Sequence, residues 1–185
     1  LWTNHPNYRN EGIYIKDSDR VTLFECFVFG MASGLHLVGE VDNLVALGLG
    51  VDASDNAVLL ENKGKAVFSN TQLVGNANYI HTTESFEGDA SFYMTAGWFG
   101  SMDVRNTFNG KGTVRIQQYK VANGGVDVGT AKTYLQNLAF DLVTFTMLTV
   151  APDSEGYILN SVGTINVLRT EGESENFQMI NIGKR

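Results

Sequence analysis

Short runs of alternating apolar and polar residues recur along the chain at nearly constant spacing. In the run GIYIK, Ile13 and Ile15 are predicted to face inward. Tyr14 and Lys16 are predicted to face outward, and the same alternation returns one step later in GLHLV. A period of two residues is typical of a strand with one buried face, and helical periodicity is poor throughout. The chain is therefore predicted to be all-β.

The spacing of these runs predicts a solenoid. Successive first elements lie roughly 22 to 24 residues apart, and each is followed by a polar turn and a longer strand element. A single coil of this length cannot bury its apolar face, so coils are expected to stack at about 4.8 Å in parallel ladders. The predicted fold class is a right-handed parallel β-helix of about six to eight coils. The first elements are anchored at Gly12, Gly34, Asn56, Tyr79, Met102 and Val126.

Other all-β architectures fit this spacing less well. A β-sandwich has many short strands but no reason for a fixed step near 22 residues. A left-handed hexapeptide helix needs a shorter period, and a leucine-rich repeat needs its ladder of Leu and Asn. We interpret residues 1–185 as one domain, with an incoming segment at 1–10 and regular coils at 11–129. Irregular last coils and a C-terminal cap are predicted for residues 130–185.

Composition and charge narrow the class of partner. The chain has 13 Lys and Arg against 20 Asp and Glu, and a net charge of -7 argues against a duplex nucleic-acid binder. No apolar run reaches the length of a membrane span, and the polar start lacks the apolar segment of a signal peptide. Cys26 is the only cysteine, so no internal disulfide or CxxC metal site is predicted. We expect this sequence to belong to a longer parent chain with further β-helix coils upstream.

Stacking is expected to align outward side chains of the first strand element in a column. The predicted column contains Tyr14, His36, Val58, His81, Arg105 and Asp127. His36 and His81 are candidate acids or bases near neutral pH, and Arg105 is a candidate partner for a uronate carboxylate. Aromatic faces stack on sugar rings, so exposed aromatic residues are also candidates. The predicted glycan contacts are Tyr14, Lys16, Trp98 and Asp127. The alternative that all of these are ordinary solvated surface residues stays open.

Carboxylates form a second candidate group. Inverting glycoside hydrolysis needs two carboxyl groups about 6.5 to 9.5 Å apart, a separation that two stacked coils supply. Turn carboxylates more often accept local backbone N–H groups, and that alternative also stays open. Asp17 and Asp19 would suit calcium, but no calcium-loop motif supports it, so no metal and no cofactor is predicted. The group contains Glu11, Asp17, Asp19, Glu40, Asp42, Asp52 and Asp55.

The stretch GIYIKDSDRVTLFECFVFGMASGLHL resembles the pectate-lyase-like and polygalacturonase-like β-helix superfamily. In that superfamily a G-I-x-I strand is followed by a turn and a V-T-I-x-N-C-x-I strand. Residues 21–30 read VTLFECFVFG, with Cys26 at the usual Cys and Glu25 where Asn is frequent. The similarity covers roughly residues 11–125. It places Glu11 where such hydrolases have an Asp before the G-I-x-I strand, which makes Glu11 a candidate catalytic carboxylate.

The resemblance implies a polysaccharide-active protein, although the same solenoid serves lyases, hydrolases, epimerases, phage tailspikes and adhesins. We expect part of a pectin- or uronan-degrading hydrolase or lyase that binds a polysaccharide along one sheet face. We also expect it to be secreted or held at the cell surface. The alternative is a non-catalytic module of a phage tailspike or adhesin, which binds glycans, forms a homotrimer or acts as a structural shaft.

Overall fold

The computed structural model describes residues 10–97, 104–121, 124–140, 146–162, 165–169, 174 and 176–182. Within these ranges every regular element is a β-strand, as the alternating pattern predicts. The strands are β1 Glu11–Asp19, β2 Thr22–Phe24, β3 Phe27–Phe29, β4 Ser33–Asp42, β5 Leu44–Leu47, β6 Gly50–Lys63, β7 Lys65–Ser69, β8 Gln72–Thr82, β9 Asp89–Gly97, β10 Arg105–Phe108, β11 Thr113–Val121, β12 Gly125–Val128, β13 Lys132–Gln136, β14 Ala139–Phe140, β15 Thr146–Val150, β16 Gly156–Leu159, β17 Ile165–Arg169 and β18 Phe177–Ile180.

The strands stack in parallel ladders as a β-solenoid of about six turns, which confirms the predicted all-β solenoid. The first sheet runs from β1 through β4, the second half of β6 and the second half of β8. It continues through β10, β12, β15 and β17. The right-handed winding stays a prediction, supported by the strong general preference of parallel crossovers for that hand.

Two further sheets close each coil. The second sheet consists of β2, β5, β7, β9, β11, β13, β16 and β18 in that order. The third begins with β3 and continues through the first halves of β6 and β8, the ends of β9 and β11, and β14. Strands β6 and β8 turn a corner and contribute to both the third and the first sheet. The outer faces of the three sheets therefore point in different directions.

The core lies between the three sheets and consists of apolar side chains stacked coil on coil. Leu35 is fully buried, as its inward position in GLHLV predicts. Phe68 and Phe92 stack with ring centroids 4.3 Å apart and planes 5° from parallel. Close packing also restricts the backbone, since a Cβ atom on Gly34 would lie 2.2 Å from Cγ1 of Val51. The core therefore admits no side chain at that strand start.

The corner between the second and third sheets repeats one backbone conformation. On each coil, one residue at this corner has a positive φ, between 46° and 67°. Such a conformation strains most side chains and is easiest for Gly and Asn. The residues are Glu25, Gly48, Asn70, Met94, Gln118, Asn137, Asn160 and Asn181. We call this set the left-handed column.

The coil spacing differs from the predicted spacing at the third coil. Asn56 pairs with Ser33, so the third strand of the first sheet lies one position away from the predicted alignment. As a result Leu59 pairs with His36. Val58, predicted to lie outside in the column, is fully buried in the core instead. The correction follows from burial, since a one-residue change of register exchanges the two faces of a strand.

A second correction concerns Arg105. It pairs with Asn78, and a shift of register just after it brings Thr107 beside His81. Arg105 thus lies at the start of its strand and outside the predicted column. The physical reason is the length of the fourth coil, which contains an additional turn around residues 83–88 between β8 and β9. A constant step cannot anticipate such an insertion.

Candidate functional site

Two rows of side chains run along the outer face of the first sheet. The outer row, in coil order, is Tyr14, His36, Leu59, His81, Thr107, Asp127 and Thr149. The start row lies at the beginnings of the same strands and consists of Glu11, Ser33, Asn56, Asn78, Arg105 and Gly125. Within it Ser33 is buried and Gly125 has no side chain. Seven of the eight residues predicted for the site lie along this sheet, spread from the first coil to the sixth. The eighth, Trp98, lies outside the described residues.

His36 lies between two carboxylates from neighbouring coils. Its Nε2 is 2.9 Å from Oε2 of Glu61, and its Nδ1 is 3.3 Å from Oε1 of Glu11. The imidazole is 12% exposed, whereas each carboxylate side chain is 31% exposed. Oε2 of Glu11 and Nδ1 of His36 are buried and make no well-aligned hydrogen bond to the described residues. We call Glu11, His36 and Glu61 the carboxylate–histidine cluster.

The surface beside the carboxylate–histidine cluster is suited to an extended ligand. Tyr14 is 51% exposed and meets His36 edge-on, with ring centroids 5.4 Å apart. Lys16 is exposed two positions after Tyr14, in the row that contains Val38 and Glu61. This surface offers an aromatic face, an ammonium group and two carboxylates within three coils.

His81 lies two rungs from His36, as the stacking argument predicts, but Leu59 and not Val58 lies between them. Its Nδ1 is 3.2 Å from Oδ1 of Asn56. Burial lowers the pKa of His81 below its ordinary value, and the nearby negative charge of Glu61 partly opposes that shift. The neutral imidazole is thus the favoured form near neutral pH, which suits an acceptor or a base.

Arg105 contacts Asp127 of the next coil through two nitrogen atoms. Its Nε is 2.8 Å from Oδ2, and a terminal guanidinium nitrogen bonds Oδ1. That same nitrogen lies 3.3 Å from Oγ1 of Thr149, one coil further on. A fork of this kind is a strong, oriented ion pair. Arg105, which was predicted to bind a uronate, is therefore already paired with a carboxylate of its own chain.

A regular diagonal pattern connects the two rows. Each outer-row residue of this pattern contacts the start-row residue of the preceding coil. The pairs are His36 with Glu11, His81 with Asn56, Thr107 with Asn78 and Asp127 with Arg105. Leu59 interrupts the series with an apolar side chain. Non-covalent side-chain contacts therefore connect adjacent coils along the outer face, and these polar side chains are not independent of one another.

Sequence reasoning missed Glu61, although it is central to the cluster. In the run NAVLLENK, Glu61 occupies the same outward position, two residues after the outer row, that Lys16 occupies in the first coil. The correct register of that coil would have revealed it. Asn56 and Asn78 were also missed as side chains that link coils, with Nδ2 of Asn78 lying 2.9 Å from Oδ1 of Asn56.

Two carboxylates of the second predicted group, Asp17 and Asp42, accept backbone N–H groups of the next coil. Oδ1 of Asp17 accepts the backbone N–H of Glu40 at 3.0 Å. Oδ1 of Asp42 accepts the backbone N–H of Lys65 at 3.3 Å. Among the described residues, no group of three or more His, Cys, Asp or Glu side chains is arranged to hold a metal ion.

Comparisons with known proteins identify no relative of this chain. No family model, no curated protein and no solved structure matches the chain. The structure shows a parallel β-solenoid, which is compatible with a β-helix fold, and the resemblance to the pectate-lyase-like superfamily stays a prediction. Over the part of the chain that the structure describes, no helix is long and apolar enough to cross a membrane.

Proposed function

We propose that the chain is part of a polysaccharide-active β-solenoid that binds a glycan along the outer face of the first sheet and hydrolyses it at the carboxylate–histidine cluster. The observation that carries the proposal is the position of His36 between Glu11 and Glu61, beside the exposed ring of Tyr14. Acid–base groups on a surface that also offers an aromatic face match the needs of glycoside hydrolysis.

The separation of the two carboxylates supports hydrolysis with inversion. The contacts on either side of the imidazole place Oε1 of Glu11 at most about 8.5 Å from Oε2 of Glu61. Inverting glycosidases hold their two carboxyl groups about 6.5 to 9.5 Å apart, which leaves room for a water molecule. The upper limit for this pair is compatible with that range, and because His36 lies between the two carboxylates, the sugar and the water would have to lie on the outer side of the imidazole.

We assign the acid role to Glu11, which matches the position of a carboxylate in the resembling hydrolases, and the base role to Glu61. As the acid, Glu11 gives a proton to the glycosidic oxygen as the bond to the anomeric carbon breaks. As the base, Glu61 takes a proton from the water that attacks the anomeric carbon. One C–O bond breaks and one forms, with no change of oxidation state.

The charges of the face favour an uncharged polysaccharide over a uronan. The cluster places two carboxylates at one end of the surface, and the protein has a net charge of -7. The guanidinium of Arg105 would have to exchange Asp127 for a uronate before it could bind one. Exchange of one carboxylate for another contributes little net free energy. Neutral xylan, galactan or glucan chains are therefore the preferred candidates.

The test is a hydrolysis assay on a panel of polysaccharides that contains xylan, galactan, glucomannan, mixed-linkage glucan and polygalacturonate. We expect new reducing ends without the ultraviolet absorbance of an unsaturated uronide, because hydrolysis leaves no double bond. Glu11→Gln and Glu61→Gln should each lower the rate about 100- to 10,000-fold, the usual range for loss of an acid or a base.

Glu155→Gln provides the matched control, since this half-exposed carboxylate contacts Lys132 from the turn between β15 and β16 and is not part of the cluster. It should hydrolyse the substrate at the wild-type rate. Wild-type protein that releases no reducing ends from the whole panel would rule out the hydrolytic proposal. Release of unsaturated products would replace it by a lyase reaction.

A second candidate function, a non-catalytic assembly module, is favoured by one specific observation. Phe24, Phe27 and Phe29 expose 65%, 68% and 49% of their surfaces near the corner of the second and third sheets. Clusters of exposed large apolar side chains are typical of protein interaction sites. A stable homotrimer that dissociates on Phe27→Ser substitution, measured by light scattering during size-exclusion chromatography, would support this function. A wild-type monomer would exclude it.

A further inference from the structure

The outer face of the second sheet contains a trough that the first-sheet site does not use. Arg115, Tyr134 and Tyr157 occupy one row on three successive rungs. Gln117 and Gln136 occupy the parallel row two positions further along the strands. These five side chains line a cavity of about 210 Å³. Sites for drug-sized ligands measure about 300 to 1,000 Å³, so this trough suits a single ring.

The aromatic row is fixed by contacts that leave its faces accessible. Ring centroids of Tyr134 and Tyr157 lie 5.1 Å apart at an interplanar angle of 56°. The guanidinium of Arg115 lies 5.6 Å from the centroid of Tyr134, within the range of a cation–π contact. Asp89, on the preceding coil, forms an ion pair with Arg115 and orients its guanidinium. Both tyrosines are only partly buried, so the row is ordered without being closed.

The polar groups of the trough are suited to hydroxyl groups. Nε2 of Gln117 lies 3.3 Å from Oε1 of Gln136, which aligns the two amides side by side and leaves further donors and acceptors pointing outward. Neither tyrosine hydroxyl makes a hydrogen bond to another residue that the structure describes. Amides and phenols beside an aromatic face bind a pyranose ring through both its hydroxyls and its C–H surface.

We infer that this trough is a second glycan-binding subsite, which takes one neutral pyranose residue of a polysaccharide. Arg115 is already paired with Asp89, and this favours a neutral sugar over a uronate. The inference rests on the proposed function only in taking a polysaccharide as the ligand. The residues of the trough lie on a different sheet from the carboxylate–histidine cluster, so each site can exist without the other. Two outward faces that each bind sugar would let one molecule hold two polysaccharide strands.

Affinity electrophoresis tests the inference. Wild-type chain is run in native gels that contain each polysaccharide of the panel above, and the most strongly retarding polysaccharide is used for the variants. We expect Tyr157→Ala to weaken binding roughly 2- to 10-fold, as loss of one aromatic contact does. The double variant Gln117→Ala/Gln136→Ala provides a second measurement that removes no core contact, because Gln117 is exposed and both amides face outward. It should also weaken binding.

Controls separate the two sites. Gln72→Ala removes an exposed amide from the third sheet and should bind as the wild type does. Tyr14→Ala reports on the first sheet alone. Weaker binding by the Tyr14 variant together with wild-type binding by both trough variants overturns this inference and leaves the proposed function standing. Loss in the trough variants alone supports the inference and removes the first-sheet binding face. A wild-type chain that no polysaccharide retards overturns both.

Discussion

The stacked pair Phe68 and Phe92 gives a direct test of the solenoid packing. Both rings are fully buried on adjacent coils, with centroids 4.3 Å apart. We expect Phe68→Leu and Phe92→Leu each to lower the free energy of unfolding by about 1 to 2 kcal/mol, because the swap keeps most of the volume but loses the ring contact. The double variant should lose less than the sum of the two single losses, since the shared contact can be removed only once.

The magnitude of this coupling follows from the geometry. An aromatic pair contributes about 0.5 to 1.5 kcal/mol beyond its buried area, so the double variant should deviate from additivity by that amount. Phe177 provides the matched control, because it is buried in the same sheet four rungs from Phe92, about 19 Å away. Phe92→Leu combined with Phe177→Leu should be additive within about 0.5 kcal/mol. Urea unfolding monitored by circular dichroism measures all five variants. Additivity for Phe68 and Phe92 would refute the predicted contact.

Three further changes test other parts of the structure. Gly34→Ala should destabilise the fold by about 1 to 3 kcal/mol, measured by urea unfolding, because the added methyl collides with Val51. Asp127→Ala should cost about 1.5 to 3 kcal/mol by leaving Arg105 half-buried without its main partner, and a loss below 0.5 kcal/mol would contradict the ion pair. The pKa of His81 is lowered by burial, so its neutral form stabilises the fold above about pH 6.5, and this contribution is lost as the pH falls through the lowered pKa. Unfolding of His81→Gln should therefore depend less on pH between neutral and mildly acidic solution, and an unchanged pH dependence would contradict the assignment.

The periodic part of the fold could be predicted from the sequence because alternation and spacing report directly on burial. Ile15 and Leu37 face inward, and Tyr14 and His36 are neighbours on adjacent coils, all as the pattern predicts. Each of these predictions needs only the period of two and a local step of 22 residues.

The register of later coils could not be predicted in this way. Corner residues and turns add or remove single positions, and one position is enough to exchange inside for outside. Val58 and Arg105 were misplaced for this reason, and Glu61 was missed. The carboxylate–histidine cluster depends on side chains from three coils, so an error in one coil hides it.

The left-handed column constrains how such a chain can change over generations. Five of its eight members are Gly or Asn, yet Glu25, Met94 and Gln118 adopt the same backbone angle. At this corner, each coil needs the backbone bend and not a particular side chain. A coil can therefore be duplicated or exchanged between positions as a cassette, provided that the incoming segment tolerates the bend. Such an exchange would keep the stacked architecture and change the side chains on its faces.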